Sequence, residues 1–212
     1  MEPYRTRKVR ILNGAHTTLV PVGYLYGIDK VRESLEDEVV GNYLKDAIFN
    51  EICPTLDLTE AELNQFANDV LDRFRNPYLE HALMSISLNS ISKFKTRVLP
   101  SVTEYIKRKE QLPNRLLFSL ASLITFYGGK RGDEAIALKD DQSVLDFFSA
   151  KWAAVNNSEL TIEELVNAVL SNSEFWGEDL TAYNGLASQV TAYVNEISVA
   201  GINKVLNEFV AK

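Results

Sequence analysis

Pro113-Asn114-Arg115-Leu116-Leu117-Phe118-Ser119-Leu120-Ala121-Ser122-Leu123-Ile124-Thr125-Phe126-Tyr127 reads as one helix, with its apolar run from Leu116 to Tyr127. A helix apolar on nearly every side belongs inside a fold, so other helices must wrap it. The segments on either side supply them. Towards the N-terminus, Pro100-Ser101 opens a helix to about Glu110. Thr59-Glu60-Ala61-Glu62 is a capping box that opens a helix to about Phe74. Val31, Leu35, Val39, Tyr43, Ala47 and Ile48 keep helical spacing and predict a helix from about Lys30 to Ile52, stopped by Pro54. Residues 8–26 form a further helix, ended by Gly27. Asn76-Pro77 breaks one helix and starts another, which is expected to run to about Ser90. Residues 91–99 fit neither period clearly.

Towards the C-terminus, Gly128-Gly129-Lys130-Arg131-Gly132-Asp133-Glu134 reads as a plain loop. Asp140 or Asp141 caps a helix to about Val155, and Thr161-Ile162-Glu163-Glu164 is a second capping box, opening a helix to about Leu170. Residues 179–211 form one or two helices, divided near Gly201. No strand series and no internal repeat appears. The expectation is an all-α fold of about eight or nine helices, forming one domain over residues 1–212.

Composition narrows the function. Hydrophobic residues make up 46% of the 212, which is ample for a core and argues against disorder. No run is long enough to span a bilayer, and the start has no signal-peptide h-region. The single Cys53 can form neither an internal disulfide nor a thiolate metal site, and two histidines are too few for a His-rich one. A cytoplasmic setting, no membrane and no metal are therefore expected. The net charge of −7 is unevenly spread. Residues 1–132 hold 18 Lys/Arg against 16 Asp/Glu, whereas residues 133–212 hold 4 against 13. The acidic end argues against nucleic acid. The basic residues bunch at Arg5, Arg7, Lys8 and Arg10 and again at Lys93, Lys95, Arg97, Lys107, Arg108 and Lys109, which fits local anion sites or solvated helix faces. There is no Gly-x-Gly-x-x-Gly after a strand, no Walker loop, no Gly-x-Ser-x-Gly elbow and no His-Glu-x-x-His.

Arg7-Lys8-Val9-Arg10-Ile11-Leu12-Asn13-Gly14-Ala15-His16-Thr17 carries possible chemistry. At about 100° per residue, with Lys8 as origin, His16 falls near 80°, Asn13 near 140° and Arg10 near 200°. One sector thus gathers an amine, an imidazole and a carboxamide. A lysine can serve as general base, an asparagine N–H can hold a developing oxyanion, and a histidine can orient either. The same spacing also suits a snorkelling lysine, a capping asparagine and a satisfied histidine. Gly14 inside a helix costs about 1 kcal/mol relative to Ala and predicts close approach by a ligand or another backbone.

Lys8-Val9-Arg10-Ile11-Leu12-Asn13-Gly14-Ala15-His16 resembles the Lys-x4-Asn-x2-His signature of the polyol-specific long-chain dehydrogenases, the mannitol dehydrogenase family. Arg73-Phe74-x-Asn76-Pro77 resembles the family's Arg-Phe-x-Asn-Pro element, and the stretch from Tyr4 to Thr17 and the block from His81 to Arg97 are similar to the family's sugar-acid branch, the tagaturonate reductases. The resemblance implies Lys8 as catalytic base, Asn13 as a polariser of the carbonyl oxygen, His16 as a substrate contact that sets the lysine, and Lys93 as a second substrate-contacting lysine. The polyol enzymes of the family are expected to carry an arginine eight residues before that lysine. Ser85 stands there, which makes mannitol a poorer fit than a sugar acid.

A sugar-acid carboxylate wants charge-assisted hydrogen bonds, and Lys93, Lys95 and Arg97 can supply them. If the stretch is extended, all three point to one side; if helical, Lys93 and Arg97 share a face and Lys95 points elsewhere, which favours Lys93 and Arg97 as the carboxylate pair. His81 is expected to serve structure at the Asn76-Pro77 helix start. The resemblance further implies NAD as cofactor, bound mainly by an N-terminal nucleotide-binding domain that precedes this segment in the family. On that reading residues 1–212 form the substrate-binding and catalytic half, inactive alone. Fructuronate reductase, mannitol or mannitol-1-phosphate dehydrogenase, and a non-catalytic helical interaction module are the alternatives.

Overall fold

A computed structural model describes residues 2–211, and they form an all-α fold. Helix α1 (Glu2–Arg7) continues through a π-helical turn (Lys8–Asn13) into α2 (Gly14–Tyr26). There follow α3 (Val31–Glu36), α4 (Glu38–Asp46), a second π turn (Ala47–Ile52), α5 (Glu60–Phe74), α6 (Leu83–Ile86), α7 (Ser90–Arg97), α8 (Leu99–Lys109) and α9 (Asn114–Phe126). A strand pair, β1 (Lys130–Arg131) and β2 (Glu134–Ala135), precedes α10 (Gln142–Asn156), α11 (Ile162–Leu170), α12 (Ser173–Trp176), α13 (Leu186–Ala200) and α14 (Ile202–Val210).

Helix α9 is the centre, as its composition dictates. Residues Leu116 to Ile124 are all buried, and the helix packs between α2 and α13. Its buried Ser119 hydroxyl donates to the Thr18 carbonyl of α2 at 2.9 Å. Its N-terminus has no local side-chain cap. The buried Glu51, from the second π turn, fills that role. Its two carboxylate oxygens accept the Arg115 and Leu116 N–H groups, each at 2.9 Å. First-turn N–H groups of a helix need such partners. The partner here lies 64 to 65 residues away, beyond the reach of any local pattern.

Both capping boxes form, at Thr59 with Glu62 and at Thr161 with Glu164. Other expectations need correction. The single helix expected from Lys30 to Ile52 is broken at Asp37, whose extended backbone and carboxylate cap α4 by accepting the Val39 and Val40 N–H groups. The chain folds back so tightly there that a Cβ on Gly41 would lie 2.8 Å from the Leu35 carbonyl oxygen. No helix starts at Pro77. The Asn76 side chain accepts the Tyr78 N–H at 2.9 Å, and the strand-like run that follows is stitched to residues 29–31. Val31 N–H donates to the His81 carbonyl at 3.0 Å, and Leu83 N–H to that of Asp29 at 2.8 Å. Helix α6 is left with four residues. The ambiguous 91–99 stretch is helical, and the plain loop after α9 is a minimal hairpin turning at Gly132-Asp133. Among the described residues no helix is long and apolar enough to cross a membrane.

Candidate active site

The signature does not sit on a regular α-helix. Residues Lys8–Asn13 form a π turn, in which the Gly14 N–H reaches back five residues to the Val9 carbonyl. Single π turns inside α-helices occur frequently at functional sites. The wider turn also corrects the α-helical wheel, because each residue turns through less than 100° and Lys8 and Asn13 come nearer to one face. Lys8 is exposed and Asn13 half-buried.

Gly14 permits the next contact. A Cβ there would lie 3.1 Å from the Arg97 carbonyl oxygen, so the C-terminal end of α7 rests directly on the signature helix. Another backbone, rather than a ligand, occupies the space that Gly14 leaves. The Arg97 charge lies near enough to His16 to act on its titration.

His16 is held among rings. Its imidazole lies 4.0 Å from the Phe74 ring, centroid to centroid, and 5.3 Å from His81, edge to face. Burial disfavours its protonated form, and the charges of His81 and then Arg97 add to this, so its pKa falls to about 4. His16 is therefore a neutral imidazole at physiological pH. His81 does not serve a helix start, since none exists. Its side chain is exposed with its ring against His16, while its carbonyl anchors Val31.

Because 90–97 is helical, Lys93 and Arg97 share a face one turn apart. The Lys93 ammonium donates to the Ile86 carbonyl at the end of α6, at 2.8 Å. Burial lowers its pKa, as does the neighbouring Arg97, while Asp140 opposes both. Arg97 is half-buried, and burial lowers its pKa too. Lys95 takes another direction. Its stem packs on Gly177, so the structure separates it from the Lys93–Arg97 pair. Ser85 is exposed, and its hydroxyl donates to the Ala82 carbonyl at 2.7 Å.

Two participants escaped the sequence reading. Phe74 belongs to the Arg-Phe-x-Asn-Pro element, yet nothing local shows that its ring stacks on His16. Of the two expected caps, Asp141 holds the α10 N-cap position without a side-chain cap bond, and Asp140 turns elsewhere. Its carboxylate accepts the Tyr127 hydroxyl and lies close enough to Lys93 to act on its charge.

The profile of the mannitol dehydrogenase C-terminal domain matches residues 1–198. An altronate oxidoreductase of Yersinia pestis bv. Antiqua is 47% identical over 202 residues, covering 95% of this chain and 42% of the relative. One from Pectobacterium atrosepticum is 47% identical over 207 residues, with the same coverages. The chain thus spans about two fifths of the length of these relatives. Among solved structures, Pseudomonas fluorescens mannitol 2-dehydrogenase, in a ternary complex with NAD and D-mannitol, superposes with a TM-score of 0.86 at 18% identity, over 99% of this chain and 41% of that one. A substrate-free D-sorbitol dehydrogenase gives 0.77 at 19% identity, over 97% and 40%. The last two establish the shared fold, and the profile match establishes the lineage: the chain belongs to the mannitol dehydrogenase C-terminal domain family.

Proposed function

We propose that this domain is the substrate-binding and catalytic half of an NAD-dependent tagaturonate reductase, interconverting D-altronate and D-tagaturonate. The observation that carries the reading is the seating of α7 on the signature helix. The Arg97 carbonyl abuts Gly14 and the Arg97 charge reaches His16, while Lys93 shares the α7 face of Arg97. Two cations on one face suit a sugar-acid carboxylate. The 47% identity to altronate oxidoreductases supports the same substrate class.

The roles follow from the chemistry of each group. Lys8 gives a proton to the substrate oxygen in the reductive direction and takes it back in the oxidative one. The Asn13 carboxamide donates to that oxygen as negative charge develops, a contribution of roughly 3 kcal/mol for a well-placed donor. With one ring N–H given to the Leu12 carbonyl, neutral His16 accepts from a substrate hydroxyl at its other nitrogen without adding charge beside Lys8. Arg97 and Lys93 hold the carboxylate.

NAD supplies the hydride chemistry when bound. The residues here do not fit a dinucleotide cradle: Gly128, Gly129 and Gly132 belong to a hairpin that follows a helix, with no strand–turn–helix unit around them. They fit the substrate side, and we assign the cofactor to a preceding nucleotide-binding domain. The test joins these residues to the N-terminal part of the Pectobacterium atrosepticum enzyme and follows NADH oxidation with tagaturonate, fructuronate, fructose and mannitol 1-phosphate. Tagaturonate is expected to be the preferred substrate, and Lys8→Ala to abolish turnover with NADH binding retained. Preference for a polyol substrate, or substantial turnover by Lys8→Ala, refutes the reading. Turnover by the 212 residues alone refutes the division of labour.

A further inference from the structure

Arg10 lies in the same π turn as Lys8 and Asn13 but points elsewhere. Only 9% of its surface is exposed. Its Nε donates to the Ser101 hydroxyl at 2.7 Å and its Nη2 to the Thr55 hydroxyl at 3.1 Å. Among the described residues no carboxylate lies within ion-pair distance of it. Buried charges are ordinarily paired, and an unpaired one is costly. Burial lowers the Arg10 pKa to about 10, opposed by the more distant charge of Glu104.

Arg10 lines a cavity of about 460 Å³, together with Thr6, Thr55, Asp57, Thr103, Glu104 and Arg108. The wall contains carboxylates, but a second cation already holds them. Arg108 donates to Glu104 at 2.6 Å and to Asp57 at 2.7 Å, and its remaining contact is the Pro54 carbonyl at 3.3 Å. Arg108 thus holds both carboxylates as direct partners, while Arg10 has only hydroxyl partners and feels Glu104 from a distance. The Thr55 and Thr103 hydroxyls donate to the Ile52 and Pro100 carbonyls, so a buried guanidinium with unused donor capacity, beside the Thr6 hydroxyl, supplies the chemistry of a small oxyanion site.

We propose that the Arg10 cavity is a second binding site, distinct from the sugar-acid site, for a small oxyanion with the chemistry of inorganic phosphate. It is bounded by α1, the π turn, the segment around Thr55 and α8, whereas His16 faces α5 and α7. Occupancy would be felt in the turn that carries Lys8 and Asn13, because Arg10 is fixed to that turn.

The test titrates inorganic phosphate, at constant ionic strength, into the ¹⁵N-labelled chain. Saturable shifts are expected at the amides of Thr6, Arg10, Thr55 and Thr103, with those of His81 and Lys95 unmoved. Arg10→Met should weaken binding by at least about tenfold, the loss of one charge-assisted contact. If Arg10→Met does not fold, Thr6→Glu replaces it: Thr6 is exposed at the rim, and a carboxylate there should remove the saturable shifts without lowering the melting temperature. Absence of saturable shifts in the parent chain, or parental affinity in Thr6→Glu, overturns the assignment.

Discussion

Neutral His16 can be tested most directly by its own titration. Its pKa falls from the ordinary 6.5 to about 4, chiefly through burial and then through the charges of His81 and Arg97. A tenfold change in proton affinity is worth about 1.4 kcal/mol, so protonating folded His16 costs roughly 3 kcal/mol more than protonating it in the unfolded chain. The sign follows from linkage. Between pH 6.5 and about 4 the unfolded chain binds a proton at this position that the folded chain refuses. His16 therefore contributes stability that is present above pH 6.5 and lost as pH falls towards 4. The chain has two histidines, so the NMR assignment needs one variant, His81→Gln. The His16 ring resonances should titrate with a midpoint near 4 in the parent, and somewhat higher in His81→Gln, where a neighbouring charge is gone. Phe74→Leu, which takes away the ring stacked 4.0 Å from the imidazole, should raise the midpoint further. Urea denaturation of the parent and of His16→Gln should diverge across this window by up to about 3 kcal/mol. A parental midpoint near 6.5 would refute the account, as would one unmoved by Phe74→Leu.

Other expectations follow from particular contacts. Glu51 works in the opposite sense to His16. Burial raises its pKa from 4.5 to about 7, so the stability it contributes is complete below pH 4.5 and is lost as pH rises through 7. Glu51→Gln should flatten that part of the stability profile in denaturation runs between pH 4.5 and 8, and a profile of unchanged slope would contradict it. Gly14→Ala should not deliver the ~1 kcal/mol of helix propensity that alanine normally brings, because its Cβ would press on the Arg97 carbonyl at 3.1 Å. In the joined enzyme it should raise KM for the sugar acid by displacing α7. Full stabilisation in thermal melts with unchanged KM would show that α7 gives way freely. Thr59→Ala removes half of a formed capping box and should cost about 1 kcal/mol in urea denaturation.

Much of the fold was legible because it is written locally. The apolar run from Leu116 to Phe126 dictates a buried central helix, whatever surrounds it. Thr59 with Glu62 and Thr161 with Glu164 place two helix starts, because a capping box needs only residues three apart. Lys8, Asn13, His16, Lys93 and Arg97 were all named from the chain, but the helix over 90–97 that sets Lys95 apart came only with the structure. The helix wrongly expected from Pro77 shows where such reading stops. The local signal at Asn76-Pro77 is genuine, but the backbone after it bonds to residues 29–31, more than forty positions earlier.

What the chain alone determined is the all-α class, the buried central helix, the two capping-box starts and the chemical types available for catalysis. Tertiary structure decided what those groups become. It fed the α9 N-terminus from Glu51, set the Arg97 backbone against Gly14, neutralised His16 beneath Phe74 and left Arg10 facing a cavity without an ion-pair partner. Propensity and capping act over three or four residues and can be read in order along the chain. Burial, charge coupling and backbone close approach act through space, between residues tens of positions apart, and arise only once the helices have packed.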